Sequence, residues 1–256
     1  MYKVKTFNNL AAKGLNRFSS TKYQVGPDLS PANALMLRSQ KLHDENIDET
    51  VIAVARAGAG VNNIPVEEYA KRGIVVFNTP GANANAVKEL VAAAMLLGSR
   101  DIFGGMNYVQ TLGDITDSAQ MHKLLEANKK RFAGSEITGM TLGVIGLGAI
   151  GAVVANMALE LGMKVAGYDP GITIESAWRL SSRIQRVDSL QTLVGVSDFI
   201  SLHVPAITPT IGMINREVLA RCKPGARLLN FARDEIVDLP AVIEALDNGK
   251  LGAYIS

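Results

Sequence analysis

Gly146-Leu147-Gly148-Ala149-Ile150-Gly151 is the stretch that decides the fold of this 256-residue chain. It follows an apolar run, residues 141–146, that is typical of a strand, and it opens a helical pattern over residues 149–161. Gly146 allows a sharp turn, Gly148 lets the backbone approach a pyrophosphate, and Gly151 permits close packing of helix on strand. The helix that starts at Ala149 and Ile150 presents free N–H groups and a positive dipole end to phosphates. This order predicts a dinucleotide-binding βαβ unit.

An acid stands where such a unit needs one. Residues 164–168 form the next predicted strand, and Asp169 follows it, 21 residues after Gly148. A carboxylate at that position accepts hydrogen bonds from the adenosine ribose, and it repels the additional phosphate of NADP. We therefore expect NAD as the cofactor. The alternative, a glycine-rich turn beside an unrelated surface aspartate, explains less because strand, loop, helix, strand and acid occur in this order.

The remainder of the second half continues the alternation of strands and helices. Strands are predicted at residues 199–204, 227–231 and 252–256, with a further short one at 184–187, and helices at 216–222 and 239–248. Such alternation is typical of an α/β fold with a Rossmann-type doubly wound parallel sheet. We assign this domain to residues 96–256.

The first part of the chain predicts a smaller α/β domain, residues 1–95. Strands are expected at residues 2–7, 34–37, 51–56 and 74–78, and residues 65–73 have a helix pattern with proline at its start and glycine beyond its end. An alanine-rich helix is expected at residues 85–99. Residues 101–134 have no strong strand pattern, and we interpret them as a crossing between domains.

Composition excludes several classes of protein. The net charge is +2 with Lys and Arg scattered along the chain, so no nucleic-acid partner is expected, and the basic run at residues 129–131 is interpreted as a solvated helix face. Residues 137–159 are uncharged, but five glycines interrupt them, so no membrane span is expected. Cys222 is the only cysteine, the N-terminus has no signal peptide, and no metal-ligand pattern is identified. A cytoplasmic location is the expectation.

Several distant segments together resemble a known family. They are Leu37-Arg38-Ser39, Val54-Ala55-Arg56-Ala57-Gly58-Ala59-Gly60-Val61, Phe77-Asn78-Thr79-Pro80-Gly81-Ala82-Asn83, Leu202-His203-Val204-Pro205 and Leu229-Asn230-Phe231-Ala232-Arg233. With these segments in one order, the chain resembles the D-2-hydroxyacid dehydrogenase family over nearly its whole length, and in particular its phosphoglycerate dehydrogenase branch. The resemblance implies a flavodoxin-like substrate domain and NAD-dependent oxidation of 3-phospho-D-glycerate to 3-phosphohydroxypyruvate, by hydride transfer, in serine biosynthesis.

The resemblance also implies a substrate site in the first domain, on the substrate side of the interdomain cleft. Its residues are Arg38, Ser39, Arg56, Ala57, Gly58 and Gly60. Glycines at 58 and 60 allow backbone N–H groups to converge on a carboxylate, and two guanidinium groups suit a phosphorylated acid. The alternative for Arg38 is an ordinary surface arginine.

On the cofactor domain, the resemblance makes Arg233 the catalytic arginine that holds the substrate carboxylate and polarises its 2-oxo group. It places His203, Val204, Pro205 and Ala232 beside the cofactor. His203 also ends a predicted buried strand, which is typical of an acid–base residue, but a cofactor-facing or packed role is favoured.

The chain departs from the family pattern in three respects. Asp234 and Glu235 replace two glycines after the arginine, where they could pair with Arg233 or face solvent, and Asn62 replaces a common aspartate. The family's catalytic glutamate and histidine come after the strand that closes at Ser256. We therefore expect the 256-residue chain to be truncated, and to bind cofactor better than it turns over substrate.

Two other functions remain open at this point. One is a dehydrogenase or reductase for another D-2-hydroxy acid, and the other is an NAD(H)-sensing binding protein similar to the family's transcriptional corepressors.

The resemblance further implies a homodimer or higher homo-oligomer, with residues 85–134 supplying the contact.

Overall fold

The structure, a computed structural model, describes residues 1–256 and contains two compact units, Met1–Asn83 and Ala84–Ser256. The domain boundary proposed from the sequence, between residues 95 and 96, falls inside a helix, Ala84–Ser99, that belongs to the second unit. Each unit contains its own parallel sheet and its own buried core.

The first unit is a five-stranded parallel sheet with the strand order β2-β1-β3-β4-β5. Its strands are Tyr2–Thr6 (β1), Tyr23–Gly26 (β2), Ala34–Leu37 (β3), Ala53–Arg56 (β4) and Val75–Phe77 (β5), and its helices are Ala12–Leu15 (α1) and Val66–Lys71 (α2). This order is the flavodoxin-like one, so the predicted fold class is confirmed for this unit. The sequence pattern did not predict β2, an edge strand of four residues with no fully buried side chain.

The core of the first unit forms where the inward residues of β3 and β4 meet α2. Leu35, Leu37 and Val54 are almost completely buried, and Tyr69 brings α2 against them. The core fixes the central strands, and the loops that follow these strands carry the predicted substrate residues.

The second unit is a six-stranded parallel sheet with the order β11-β10-β9-β6-β7-β8. Its strands are Thr141–Ile145 (β6), Lys164–Tyr168 (β7), Gln185–Arg186 (β8), Phe199–Leu202 (β9), Ala226–Asn230 (β10) and Leu251–Ile255 (β11). Counted from β6, this is the doubly wound Rossmann order, with its switch point between β6 and β9, so the prediction of this fold is also confirmed.

The helices of the second unit include two that lie in the segment predicted as a crossing. They are Ala84–Ser99 (α3), Ile102–Gln110 (α4), Ser118–Asn128 (α5), Ala149–Glu160 (α6), Ile174–Ala177 (α7), Leu190–Val196 (α8), Arg216–Arg221 (α9) and Leu239–Asp247 (α10), with short 3-10 helices at Lys129–Phe132 and Asp234–Ile236. Sequence patterns predicted α3, α6, α9 and α10 but not the short α7 and α8. None of these helices combines the length and the apolar character that a membrane crossing requires.

Both faces of the second sheet are covered. One buried cluster lies with α8, α9 and α10, and the other lies with α3 and α6. Because the strands are buried on both faces, their sequences are continuous apolar runs rather than alternating ones. Ligands of such sheets bind at the carboxyl ends of the strands, where the loops after β6, β7, β9 and β10 lie.

Candidate dinucleotide and substrate sites

The glycine loop makes the close contacts that its sequence predicts. Gly146 follows β6 with φ of 89°, in the left-handed region that favours glycine. A Cβ at Gly146 would stand 2.7 Å from the carbonyl oxygen of His203, and a Cβ at Gly151 would overlap the carbonyl oxygen of Gly146. The loop is therefore packed against the segment after β9 on one side and against the first turn of α6 on the other.

Gly148 differs from these two glycines because a Cβ there would meet no atom within 4 Å. It is the N-cap residue of α6, and no side chain caps the helix or places an acid in its first turn. The first backbone hydrogen bond at this end runs from the Ala152 N–H to the Gly148 carbonyl. Open space in front of uncapped N–H groups is what a pyrophosphate requires, so the loop fits a dinucleotide.

Asp169 fixes the glycine loop from the end of β7. Its carboxylate accepts a hydrogen bond from the Leu147 N–H at 2.8 Å and another from the Gly171 N–H at 2.9 Å. Each carboxylate oxygen keeps a further lone pair for a ligand hydroxyl. The structure thus brings the predicted acid directly beside the predicted glycine loop.

A surface cavity of about 430 Å³ lies next to Asp169. Its walls are largely apolar and include Leu147, Ile172, Ala177 and Leu180. Its charged lining residues are Asp169, Arg186 and Asp188. A flat apolar base and a ribose with two hydroxyls match this combination of walls. The sequence interpretation missed the segment at residues 172–180, although its isoleucines and leucine soon after the acid were a signal.

His203 is held neutral by its surroundings. Its backbone N–H donates to the Ile145 carbonyl at 2.8 Å. Its ring Nε2 lies 2.8 Å from the Oγ of the fully buried Ser201. Desolvation lowers the pKa of His203 to about 4, although part of the residue reaches solvent. A neutral imidazole is compatible with a cofactor-facing or packed role and does not favour a general acid at neutral pH.

Arg233 follows β10, the strand next to β9, so it lies at the same carboxyl edge as His203. The turn that carries it is shaped by the buried Asn230, whose Nδ2 donates to the Arg233 carbonyl at 3.0 Å and whose Oδ1 accepts from the Ala232 N–H at 3.2 Å. The Arg233 guanidinium is exposed, and its Nη1 donates to the Ala232 carbonyl at 2.7 Å. The sequence assigned no role to Asn230, although an asparagine closing an apolar strand was a signal.

The two acids that replace glycines after Arg233 face solvent. Asp234 and Glu235 are exposed, and neither takes part in an ion pair with Arg233. Their backbone is ordered by contacts with the loop before α9, since the Glu235 carbonyl accepts from the Gly212 N–H at 2.8 Å. Of the two alternatives left open by the sequence, the structure has the solvent-facing one.

In the first unit, the predicted substrate residues gather at the carboxyl ends of β3 and β4. The Ala57 N–H donates to the Leu37 carbonyl at 2.8 Å, which places the loop after β4 against the loop after β3. Asn78, which follows β5, donates from its Nδ2 to the Ala59 carbonyl at 2.6 Å. Loops after three neighbouring strands are therefore tied together around Gly58 and Gly60.

The two arginines of this group differ in their contacts. Arg56 is directed into its own loop, where Nε donates to the Arg38 carbonyl at 3.0 Å and Nη1 donates to the Gly60 carbonyl. Arg38 and Ser39 are exposed, and the Arg38 guanidinium takes part in no ion pair of the chain. Arg56 thus shapes the glycine loop, while Arg38 presents its charge to solvent.

Other reactive side chains give no competing site. Burial raises the pKa of the Cys222 thiol to about 11, so it is a poor nucleophile. No group of three or more His, Cys, Asp or Glu side chains is arranged to hold a metal ion.

Comparison with known proteins gives one family. The model of the "D-isomer specific 2-hydroxyacid dehydrogenase, NAD binding domain" matches residues 105–256. The expectation of NAD as cofactor is therefore confirmed, because the matched domain binds NAD.

Two proteins of similar sequence share one activity. D-3-phosphoglycerate dehydrogenase of Methanocaldococcus jannaschii is 37% identical over 236 residues, covering 91% of this chain and 42% of that protein. D-3-phosphoglycerate dehydrogenase of Homo sapiens is 36% identical over 233 residues, covering 90% of this chain and 41% of that protein. The chain thus spans less than half of the length of these curated relatives.

Similar solved structures have more than one activity. NAD⁺-bound 3-phosphoglycerate dehydrogenase of Entamoeba histolytica superposes with a TM-score of 0.75 at 26% identity, covering 100% of this chain and 80% of that one. Holo D-mandelate dehydrogenase of Rhodotorula graminis superposes with a TM-score of 0.79 at 26% identity, covering 99% of this chain and 80% of that one.

Proposed function

The chain belongs to the D-isomer specific 2-hydroxyacid dehydrogenases, and on that premise we propose that the protein oxidises 3-phospho-D-glycerate to 3-phosphohydroxypyruvate with NAD. The observation that carries the choice of substrate is the exposed guanidinium of Arg38, whose backbone carbonyl accepts a hydrogen bond from Arg56 in the neighbouring loop. An arginine with no charged partner in the chain is suited to a phosphate dianion.

Each group has a defined role in this proposal. Backbone N–H groups around Gly58 and Gly60 bind the substrate carboxylate, and Arg38 and Ser39 bind the phosphate. Arg233 orients the substrate and polarises the 2-oxo group, since its charge does not titrate near neutral pH and it cannot exchange a proton. NAD bound on the loop after β6 would supply the hydride acceptor. The hydroxyl proton would pass to a general base other than Arg233, which in this proposal is the family's histidine in the full-length protein.

On the cofactor domain, the proposed NAD-binding residues are Gly146, Gly148, Ala149, Ile150, Gly151, Asp169, His203, Val204, Pro205 and Ala232. The N-terminus of α6 binds the pyrophosphate and Asp169 binds the ribose. Neutral His203 packs the loop beneath the cofactor without adding a charge there.

We further propose that the protein is a homodimer. Helix α4 exposes Ile102, Phe103, Met106 and Val109, which recur at helical spacing on one side. A contiguous exposed apolar surface of this kind is typical of a subunit contact.

After 3-phospho-D-glycerate, the second candidate substrate is another D-2-hydroxy acid. The similarity to holo D-mandelate dehydrogenase of Rhodotorula graminis, with a TM-score of 0.79, favours it. Mandelate is a 2-hydroxy acid that has no phosphate.

The two candidate substrate classes, 3-phospho-D-glycerate and another D-2-hydroxy acid, are distinguished by the turnover rates of the full-length protein that contains this chain. We expect kcat/KM with NADH to be at least about tenfold higher for 3-phosphohydroxypyruvate than for glyoxylate or pyruvate. Arg38→Met is expected to reduce the value for the phosphorylated acid about a hundredfold and to change glyoxylate reduction little. Faster reduction of glyoxylate or pyruvate by the wild type would establish the second candidate instead.

A further inference from the structure

Asn8 follows the first strand of the sheet and is the only non-glycine residue with a positive φ, at 62°. Asparagine tolerates this left-handed conformation better than most residues, but the conformation is uncommon and is retained where its surroundings require it. Here it turns the side chain of Asn8 toward the loop after β3, which lies next to β1 in the sheet.

The amide oxygen of Asn8 accepts three backbone N–H groups of that loop. The distances are 3.3 Å from Arg38, 2.9 Å from Ser39 and 2.8 Å from Gln40. These successive N–H groups converge on one point, as they would around an anion. A carboxamide oxygen therefore satisfies the N–H groups of the residues whose side chains are assigned to the substrate.

The carbonyl groups of the same loop are held from the other side. Asn63, which is 8% exposed, donates from Nδ2 to the Gln40 carbonyl at 2.6 Å and to the Arg38 carbonyl at 3.5 Å. Its Oδ1 is the one buried side-chain polar atom without a partner. The two hydrogen bonds from Nδ2 to the loop therefore orient the buried amide, although its oxygen is left without a partner, which costs folding free energy.

We propose that Asn8 is a positioning residue, which fixes the backbone of residues 38–40 so that Arg38 and Ser39 present their side chains to the phosphorylated substrate. The inference rests on the proposed function, since it takes Arg38 and Ser39 as substrate ligands. In this proposal Asn8 acts through the loop, because its amide oxygen already accepts three of the loop's N–H groups.

Three substitutions separate the parts of this proposal. Asn8→Gly keeps the left-handed backbone and removes the acceptor oxygen. Asn8→Asp keeps an acceptor oxygen at the same place. Asn9→Gly is the matched control, because Asn9 is the exposed neighbour and makes no described side-chain hydrogen bond.

Two measurements on the full-length protein read out the effect. Residue-resolved amide hydrogen exchange reports the N–H groups of residues 38–40. Calorimetric titration with 3-phospho-D-glycerate in the presence of NADH, which cannot accept a hydride from it, reports affinity without turnover. For Asn8→Gly we expect exchange at these three amides to accelerate at least about tenfold and the Kd to rise at least about tenfold. Asn8→Asp is expected to restore protection, and Asn9→Gly to change neither quantity. NADH affinity is expected to stay unchanged in Asn8→Gly.

Unchanged exchange at these amides in Asn8→Gly would overturn the proposal, and so would accelerated exchange with an unaltered Kd. A general rise in exchange across the first unit would also overturn it, because that result indicates a purely structural role. Failure of the wild-type protein to bind 3-phospho-D-glycerate would instead overturn the proposed function, and the exchange data would then decide on their own whether Asn8 holds the loop.

Discussion

Gly148 and Gly151 stand three positions apart in one loop, yet the structure gives them different tasks. Gly148 has φ of −70° and ψ of −158°, and a Cβ there would meet only open space before α6. A Cβ at Gly151 would overlap the Gly146 carbonyl oxygen. Gly148 therefore serves the ligand, while Gly151 serves the packing of α6 on β6.

Alanine at each position tests this division. Gly148→Ala is expected to change the free energy of unfolding by less than about 0.5 kcal/mol and to weaken NADH binding at least tenfold, because the methyl group takes the place of the pyrophosphate. Gly151→Ala is expected to lower the free energy of unfolding by about 2 kcal/mol or more. Urea denaturation and NADH titration of both variants provide the comparison. Loss of stability in Gly148→Ala with intact NADH affinity would contradict the assignment.

His203 makes the stability of the second unit dependent on pH. Its pKa falls from 6.5 to about 4 on folding, so between these values the unfolded chain binds more protons than the folded one. The contribution of neutral His203 is present above pH 6.5 and is lost as the pH falls through 4, with an upper limit of about 3 kcal/mol. His203→Gln is expected to flatten the stability curve in that window.

Unfolding curves across this pH range, with His122→Gln as the control at an exposed histidine, measure the effect. The same acid-induced loss in His203→Gln and in the wild type would mean that other groups cause it.

Among single residues, backbone roles were predictable and side-chain contacts were not. The glycine loop and Asp169 could be predicted because a turn and its following acid are local in sequence. Asn8 could not, because the amides that it accepts are 30 to 32 residues away. Asn230 and Ser201 could be recognised as strand residues, but only the fold shows which neighbours their polar atoms meet.

At the scale of elements, an arginine of β10 adds a polar contact to the apolar packing that attaches α3 to the Rossmann sheet. Arg227 of β10 donates from Nε to the Gly98 carbonyl at 2.5 Å, and its guanidinium lies 5.0 Å from the ring centre of Phe199. This contact helps to explain why α3 belongs to the second unit, although the sequence boundary at residue 95 cuts through it.

Removal of this contact is expected to destabilise the protein. Arg227→Met should lower the free energy of unfolding by about 1–3 kcal/mol, because a carbonyl loses its donor and a ring loses its cation. Arg183→Met, which breaks only the exposed ion pair with Glu160, should change it by less than about 0.5 kcal/mol. Denaturant melts of the two variants measure the difference, and equal effects would show that the Gly98 contact is of no special importance.

Long and regular elements were predicted from sequence, whereas short ones were not. The periodicity of residues 149–161 and the apolar run of residues 164–168 agree with α6 and β7. The four-residue β2 and α7 have no fully buried side chain, so they leave no hydrophobic pattern to detect. Their place in the fold is decided by pairing and packing with distant strands.

At the scale of the whole molecule, the apolar side of α4 predicts association. Phe103 and Met106 are 62% and 55% exposed. We expect sedimentation equilibrium to give a dimer for the wild type and a monomer for the double variant Phe103→Glu and Met106→Glu. Ile174→Glu alters an exposed isoleucine outside this helix and should remain dimeric. A monomeric wild type at micromolar concentration would exclude the homodimer.

Topology was the part of the whole-molecule account that sequence predicted best. Parallel strands joined by helices admit few arrangements, because crossovers are right-handed and ligands lie at the carboxyl edge. The choice of substrate was the part that sequence could not decide, since it depends on a few side chains such as Arg38.

Titration of the chain with NADH and NADPH, followed by the fluorescence of the reduced nicotinamide, tests most directly whether the glycine loop and Asp169 form an NAD site. NADH is expected to bind at least about tenfold more tightly than NADPH, because the Asp169 carboxylate repels the additional phosphate. Asp169→Asn should reduce this ratio, and Asp114→Asn, which removes an exposed charge elsewhere in the same unit, should preserve it. Equal or tighter binding of NADPH by the wild-type chain would contradict the assignment.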